Sequence, residues 1–126
     1  MVTVYRLEHV GIGTPEPKLE ETIQFYEKVF GWERSREQPG ILAFVGDGHV
    51  MFEIFRSTDP PLQDPHHLAF AVSLDDFDTV AQAIRDNGAT AMDEPFINDF
   101  GDRIVFFNDP GGNRAQIVAR VAPVTR

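Results

Sequence analysis

A chain of 126 residues that is 42% hydrophobic can bury one sizeable core and fits one domain better than two. The absence of cysteine excludes disulfides, thiolate metal ligands and cysteine nucleophiles together. A net charge of −9 without any Lys/Arg cluster argues against nucleic acid or an anionic membrane and favours a small-molecule partner.

No apolar run approaches the roughly 20 residues that span a bilayer. The stretch "MVTVYRLEHV" lacks the basic-then-apolar order of a signal peptide, so a cytoplasmic location is expected. Residues 4–13, "VYRLEHVGIG", read as a strand ending in glycines. Pro15, Pro17 and the acids Glu16, Glu20 and Glu21 start a helix. Leu19, Ile23, Tyr26 and Phe30 keep helical spacing, and Gly31 stops it. "WERSREQ" follows, then the strands "ILAFVGDG" and "HVMFEIF", split by a Gly-Asp-Gly turn.

The proline-rich "RSTDPPLQDP" is the one internal linker. After it the order repeats. "HHLAFAV" is a strand, and Ser73, Asp75 and Asp76 are candidate helix caps. Phe77, Val80, Ala81 and Ile84 form the apolar stripe of a second helix, closed by Asn87-Gly88. "TAMDEPFI" is a weak strand. "DRIVFFN" and "NRAQIVARV" are strong ones, joined by Asp-Pro-Gly-Gly. Strand–helix–strand–strand–strand therefore occurs twice, a repeat of order rather than identity. His9 and His67 open the first strand of each copy, and Glu53 and Gln116 sit in the last. One helix per copy covers one sheet face and leaves the other to form a cup.

Side chains alternate along a strand, so parity assigns the faces. His67 shares its side with the small Ala69 and Ala71, whereas His66 goes with Leu68, Phe70 and Val72 towards the helix. His9 opposes Val10 and Ile12. Glu53 opposes Phe52 and Ile54, and Gln116 opposes Ala115 and Ile117. If each bulky set packs on a helix, His9, Glu53, His67 and Gln116 all point into one cup. A carboxylate in an apolar setting calls for a partner or a metal. Two imidazoles, a carboxylate and an amide oxygen suit Zn, Ni, Co, Mn or Fe(II), with open positions left for water or substrate. The competing reading makes the histidines ordinary strand-start residues and Gln116 a cup-lining hydrogen bonder. Arg34, Arg36, Arg103 and Arg120 are solvated by default, although one of them could hold a substrate carboxylate.

The stretches "LEHVGIG", "FYEKVFGWE", "MFEIF", "HHLAFAV" and "DPGGNRAQIV", in this order, resemble the vicinal oxygen chelate (glyoxalase/bleomycin resistance/dioxygenase) superfamily. The resemblance implies an α+β fold of two paired βαβββ modules forming an open, cup-like mixed sheet. The modules would span about 4–56 and 66–120, joined by a linker at 57–65. It also implies a homodimer and a divalent metal, with His9, Glu53, His67 and Gln116 at the ligand positions. Many metal-dependent relatives carry glutamate where this chain has Gln116. An amide cannot act as a base at neutral pH, so Glu53 becomes the candidate catalytic residue. A metal-dependent lyase or isomerase acting on a small vicinally oxygenated molecule is expected. An Fe(II) ring-cleaving dioxygenase and a non-catalytic drug binder are the alternatives.

Overall fold

The computed structural model describes residues 7–122. Residues 4–6 of the expected first strand lie outside that range. β1 (His9–Thr14) leads through a short 3-10 turn at Glu16–Lys18 into α1 (Leu19–Phe30). α1 ends at Gly31, whose φ of 67° is the left-handed cap geometry that glycine adopts without Cβ strain. β2 (Glu33–Gln38), β3 (Leu42–Gly46) and β4 (Met51–Arg56) complete a four-stranded sheet of order β1-β4-β3-β2. β1 runs parallel to β4, and the other neighbours are antiparallel.

The second half repeats this plan. β5 (Leu68–Ala71) precedes α2 (Phe77–Asp86), and β9 (Arg114–Ala119) lies parallel beside β5. β8 (Arg103–Asn108) pairs with β9. The expected weak strand resolves into two short pieces, β6 (Ala91–Met92) and β7 (Phe96–Ile97), both paired to β8. Pro95, with no N–H to donate, lies in the gap between them. Of the expected caps on α2, the Ser73 hydroxyl accepts the Asp76 N–H, while the Asp76 side chain makes no cap bond.

The helix stripes face the core as their spacing predicts. Leu19, Ile23 and Tyr26 of α1 are buried, as are Phe77, Ala81 and Ile84 of α2. One contiguous cluster joins the two halves. Tyr26 packs against Phe52 of the first sheet and Phe70 of the second. Phe30 and Trp32 also pack against Phe70, the first tilted and the second edge-on, so the end of α1 is the apolar bridge between the modules.

A polar clasp completes that bridge. The buried Tyr26 hydroxyl donates to Asp109 Oδ2 at 2.8 Å. Asp109 Oδ1 accepts the Asn113 N–H. The Asn113 side chain accepts the Leu62 N–H from the linker and donates to the Gly13 carbonyl of β1. The Asp-Pro-Gly-Gly-Asn run is thus more than a turn, since it fastens β1, the linker and α1 to β9.

Gly111 is required by this contact. A Cβ there would run into the Thr14 hydroxyl and sit 2.8 Å from Thr14 Cβ, with Thr22 also in the way. Overpacking of this kind costs about 1–3 kcal/mol. Gly111→Ala is expected near the upper end, because Thr14 and Thr22 are themselves buried. Urea unfolding should show a lower midpoint with an unchanged slope.

Burial pushes the Asp109 carboxyl above the ordinary carboxylate range, against the lowering effect of the Asn113 N–H and the Tyr26 hydroxyl. A raised folded value means that the folded state holds the proton more tightly. The associated stabilisation is complete below the unfolded pKa of about 3.9 and is lost as pH rises through the folded value. Asp109→Asn removes this titration. The stability of the natural chain relative to Asp109→Asn should therefore fall as pH rises from about 4 to 7 in thermal melts. A difference that is flat or rises with pH would contradict the assignment.

Candidate metal and substrate site

Each sheet buries one face under the helices and opens the other. On the first sheet Ile12, Phe52, Ile54, Ala43 and Val45 are buried, while His9, Gly11, Glu53, Phe55 and Phe44 take the opposite side. On the second, Phe70, Ala115, Ile117, Val105 and Phe107 are buried, while His67, Ala69, Gln116 and Phe106 take the open side. All four candidate ligands therefore occupy the face that parity assigns them. His66 instead lines a groove of about 400 Å³ with Val10, Ile12, Pro61 and Leu68. His49 is exposed in the turn before β4, where the Asp47 carboxylate accepts its backbone N–H.

The two halves match in detail. Glu53 is paired across the sheet with Phe44, and Gln116 with Phe106. The His9 ring meets Phe44 edge-on at 5.4 Å, and the His67 ring meets Phe106 edge-on at 5.3 Å. Phe44 and Phe106 thus hold corresponding positions, which sequence parity alone did not apportion.

Both imidazoles are oriented through Nδ1. His67 Nδ1 lies 3.1 Å from the Pro65 carbonyl, and His9 Nδ1 lies 2.8 Å from Glu8 Oε1. An Nδ1–H given to these oxygens leaves Nε2 as the bare nitrogen of a neutral ring. His67 Nε2 is 2.9 Å from the Gln116 amide nitrogen, which donates to it. Rotating that amide brings its oxygen to the same place. An imidazole oriented by a carbonyl or a carboxylate is the usual arrangement of a metal-ligating histidine. By residue type these donors, His67 Nε2 with the Gln116 oxygen and His9 Nε2 with the Glu53 carboxylate, are ones a divalent cation takes.

The fold divides this set. His9 and Glu53 stand on the first sheet, His67 and Gln116 on the second. Among the described residues no three His, Asp or Glu side chains come together as a metal-binding group within one chain. Chain order already places half a set in each module, and the cup can join the two halves within one chain or between two. β1 and β5 each end their sheet, so the first strands of both modules have only one strand neighbour.

The floor of each half-site is small. Gly11 and Ala69 lie beside Glu53 and Gln116. A Cβ at Gly11 would sit 3.2 Å from Phe55 Cε1 and 3.8 Å from Glu53 Oε1, so the glycine leaves the carboxylate its space. Arg114, stacked 4.8 Å over Phe106, ties Asp64 of the linker and Asp93 beyond β6 to the mouth of the second half-site. Sequence reasoning missed this strap, because neither acid is near Arg114 in the chain.

The Glyoxalase/Bleomycin resistance protein/Dioxygenase superfamily model matches residues 6–117. The chain belongs to this superfamily. Solved superfamily folds align over nearly its whole length. Fosfomycin resistance protein FosX from Mesorhizobium loti superposes with a TM-score of 0.79 at 20% identity, covering 98% of this chain and 97% of that one. Lactoylglutathione lyase from Agrobacterium tumefaciens gives 0.71 at 20% identity, covering 92% and 94%. The oxidase ChaP-H2 gives 0.72 at 27% identity, covering 94% and 95%. These neighbours carry different activities on one scaffold, so the superfamily fold by itself does not name a reaction.

Proposed function

We propose that the protein is a metal-dependent lyase or isomerase acting on a small vicinally oxygenated molecule, with its site shared between two copies of the chain. His9 and Glu53 of one copy and His67 and Gln116 of the other would hold the cation. The observation that carries this reading is His67, whose Nδ1 is engaged by Pro65 and whose Nε2 faces Gln116 on the open face. The division of the donors between the two modules supports sharing, as no three acidic or histidine side chains come together within one chain among the described residues. A divalent cation so held supplies Lewis-acid stabilisation to an enolate or oxyanion formed on vicinal oxygens.

The protein's own residues would do the rest. Glu53 is the one group of the four able to take a proton as a carboxylate, and it would move the substrate proton at its carboxylate oxygen. Gln116 would hold its place as a neutral oxygen donor. Phe44 and Phe106 would wall the cup and keep water from it. A drug-binding reading would need only an apolar cup. It gives no reason for two histidines at corresponding positions, each set edge-on against a phenylalanine.

Metal content tests the reading. Protein purified without added metal is expected to carry a divalent ion in a fixed ratio to chain, and His67→Ala to lose about 90% or more of it. Elemental analysis showing equal metal in both proteins would contradict the site.

A further inference from the structure

We infer that Arg36 is the recognition residue for a substrate carboxylate, placed about 10 Å across the first sheet from Glu53 by a β-bulge at Ser35. This names the substrate class of the proposed site, and it rests on that reading for where the reacting end of the substrate lies.

Arg34 and Arg36 are two residues apart, so a regular strand would send both to one face. The β2–β3 register shifts between them: Arg34 pairs with Val45, but Arg36 pairs with Phe44. Arg34 consequently points under the sheet to α1, where it holds Glu20, Glu27 and also Glu37 of its own strand. Arg34 and Glu37 are an odd number of residues apart and share a face only because of the bulge. Arg36 is re-aimed to the open face, as bulges beside functional sites commonly do. The resulting row across the sheet is Gly11, Glu53, Phe44, Arg36.

The four arginines that sequence left as candidates now separate. Arg34 is occupied by three glutamates, Arg103 by Asp78 and Arg120 by Asp102. Arg36 makes no ion pair among the described residues. It opens on a depression of about 470 Å³ with Glu37, Gln38, Leu42 and Phe44, the Glu37 carboxylate being held by Arg34. β2 is the strand farthest from β1, so this position lies at the outer edge of the first sheet. A guanidinium beyond an aromatic face suits a molecule with a planar or apolar middle and a carboxylate at its far end. One arginine in a chain of net charge −9 favours a monoanion over a phosphate dianion.

The test uses benzoate, its neutral isostere benzamide, and phenylphosphonate as probes of the full-length protein, with binding followed by NMR at the Arg36 Nε–H. Benzoate is expected to bind about tenfold or more tightly than benzamide. That preference should vanish in Arg36→Met, fall part-way in Arg36→Lys, and persist in His67→Ala. Persistence in His67→Ala separates this subsite from the metal, whose failure would be read instead from elemental analysis of the natural chain. A preference unchanged in Arg36→Met, no response at Arg36 in the natural chain, or tighter binding of phenylphosphonate would each overturn the assignment.

Discussion

Glu53→Gln should abolish proton transfer while leaving the chain folded. With metal-loaded protein and hydroxyacetone as probe in deuterated water, exchange at carbon is expected to fall about 10²–10⁴-fold. The reason lies in the donor set. Two histidines occupy their Nδ1 atoms with Pro65 and Glu8, and His67 turns its Nε2 to Gln116 on the open face. Gln116 cannot take a proton at neutral pH. Glu53 is half-buried on β4, with Gly11 beside it leaving room over its oxygens. Its amide isostere keeps the shape and the hydrogen-bonding size, so unfolding would not account for the loss. Exchange that survives the substitution would remove Glu53 as the base.

Gln116→Glu is the second large effect, and its sign depends on metal. Gln116 is only 7% exposed and sits 2.9 Å from His67. A carboxylate at that depth lacks water and, without a metal, can be neutralised only by placing a proton on the adjacent His67, which costs free energy at neutral pH and above. The metal-free variant should therefore melt below the natural chain. Added metal should reverse the order, because a charged ligand replaces a neutral one, with an affinity gain of about 10–100-fold. Melting curves with and without metal check both halves. A variant destabilised equally in both conditions would place Gln116 in a purely structural role.

How much of this was legible in the sequence depends on the range of the interactions. The two helices, their buried stripes and the repeat of order follow from local periodicity, and the structure keeps them. The cup-side parity of His9, Glu53, His67 and Gln116 also follows locally, since strands alternate. A bulge breaks that alternation without leaving a mark in composition, which is why Arg34 and Arg36 looked equivalent. Pro95 divides a strand that apolar content alone would continue. The Tyr26–Asp109 clasp and the Arg114 strap join residues far apart in the chain, and no spacing rule reaches them. The division of the four donors between two sheets follows from the repeat, but how the two half-sets are brought face to face is a property of packing. Parity tells which face a residue takes, not which sheet it will meet.

Mixing chains tests whether two copies share one metal site. His9→Ala and His67→Ala dimers each lack one ligand at every site and should hold little metal. In a hybrid dimer one site combines the intact His9 of one chain with the intact His67 of the other. Chains unfolded and refolded together should regain about one quarter of the natural metal content, since about half of the dimers are hybrids with one complete site of two. Elemental analysis of the mixture that gives no more metal than the separate variants would contradict a shared site.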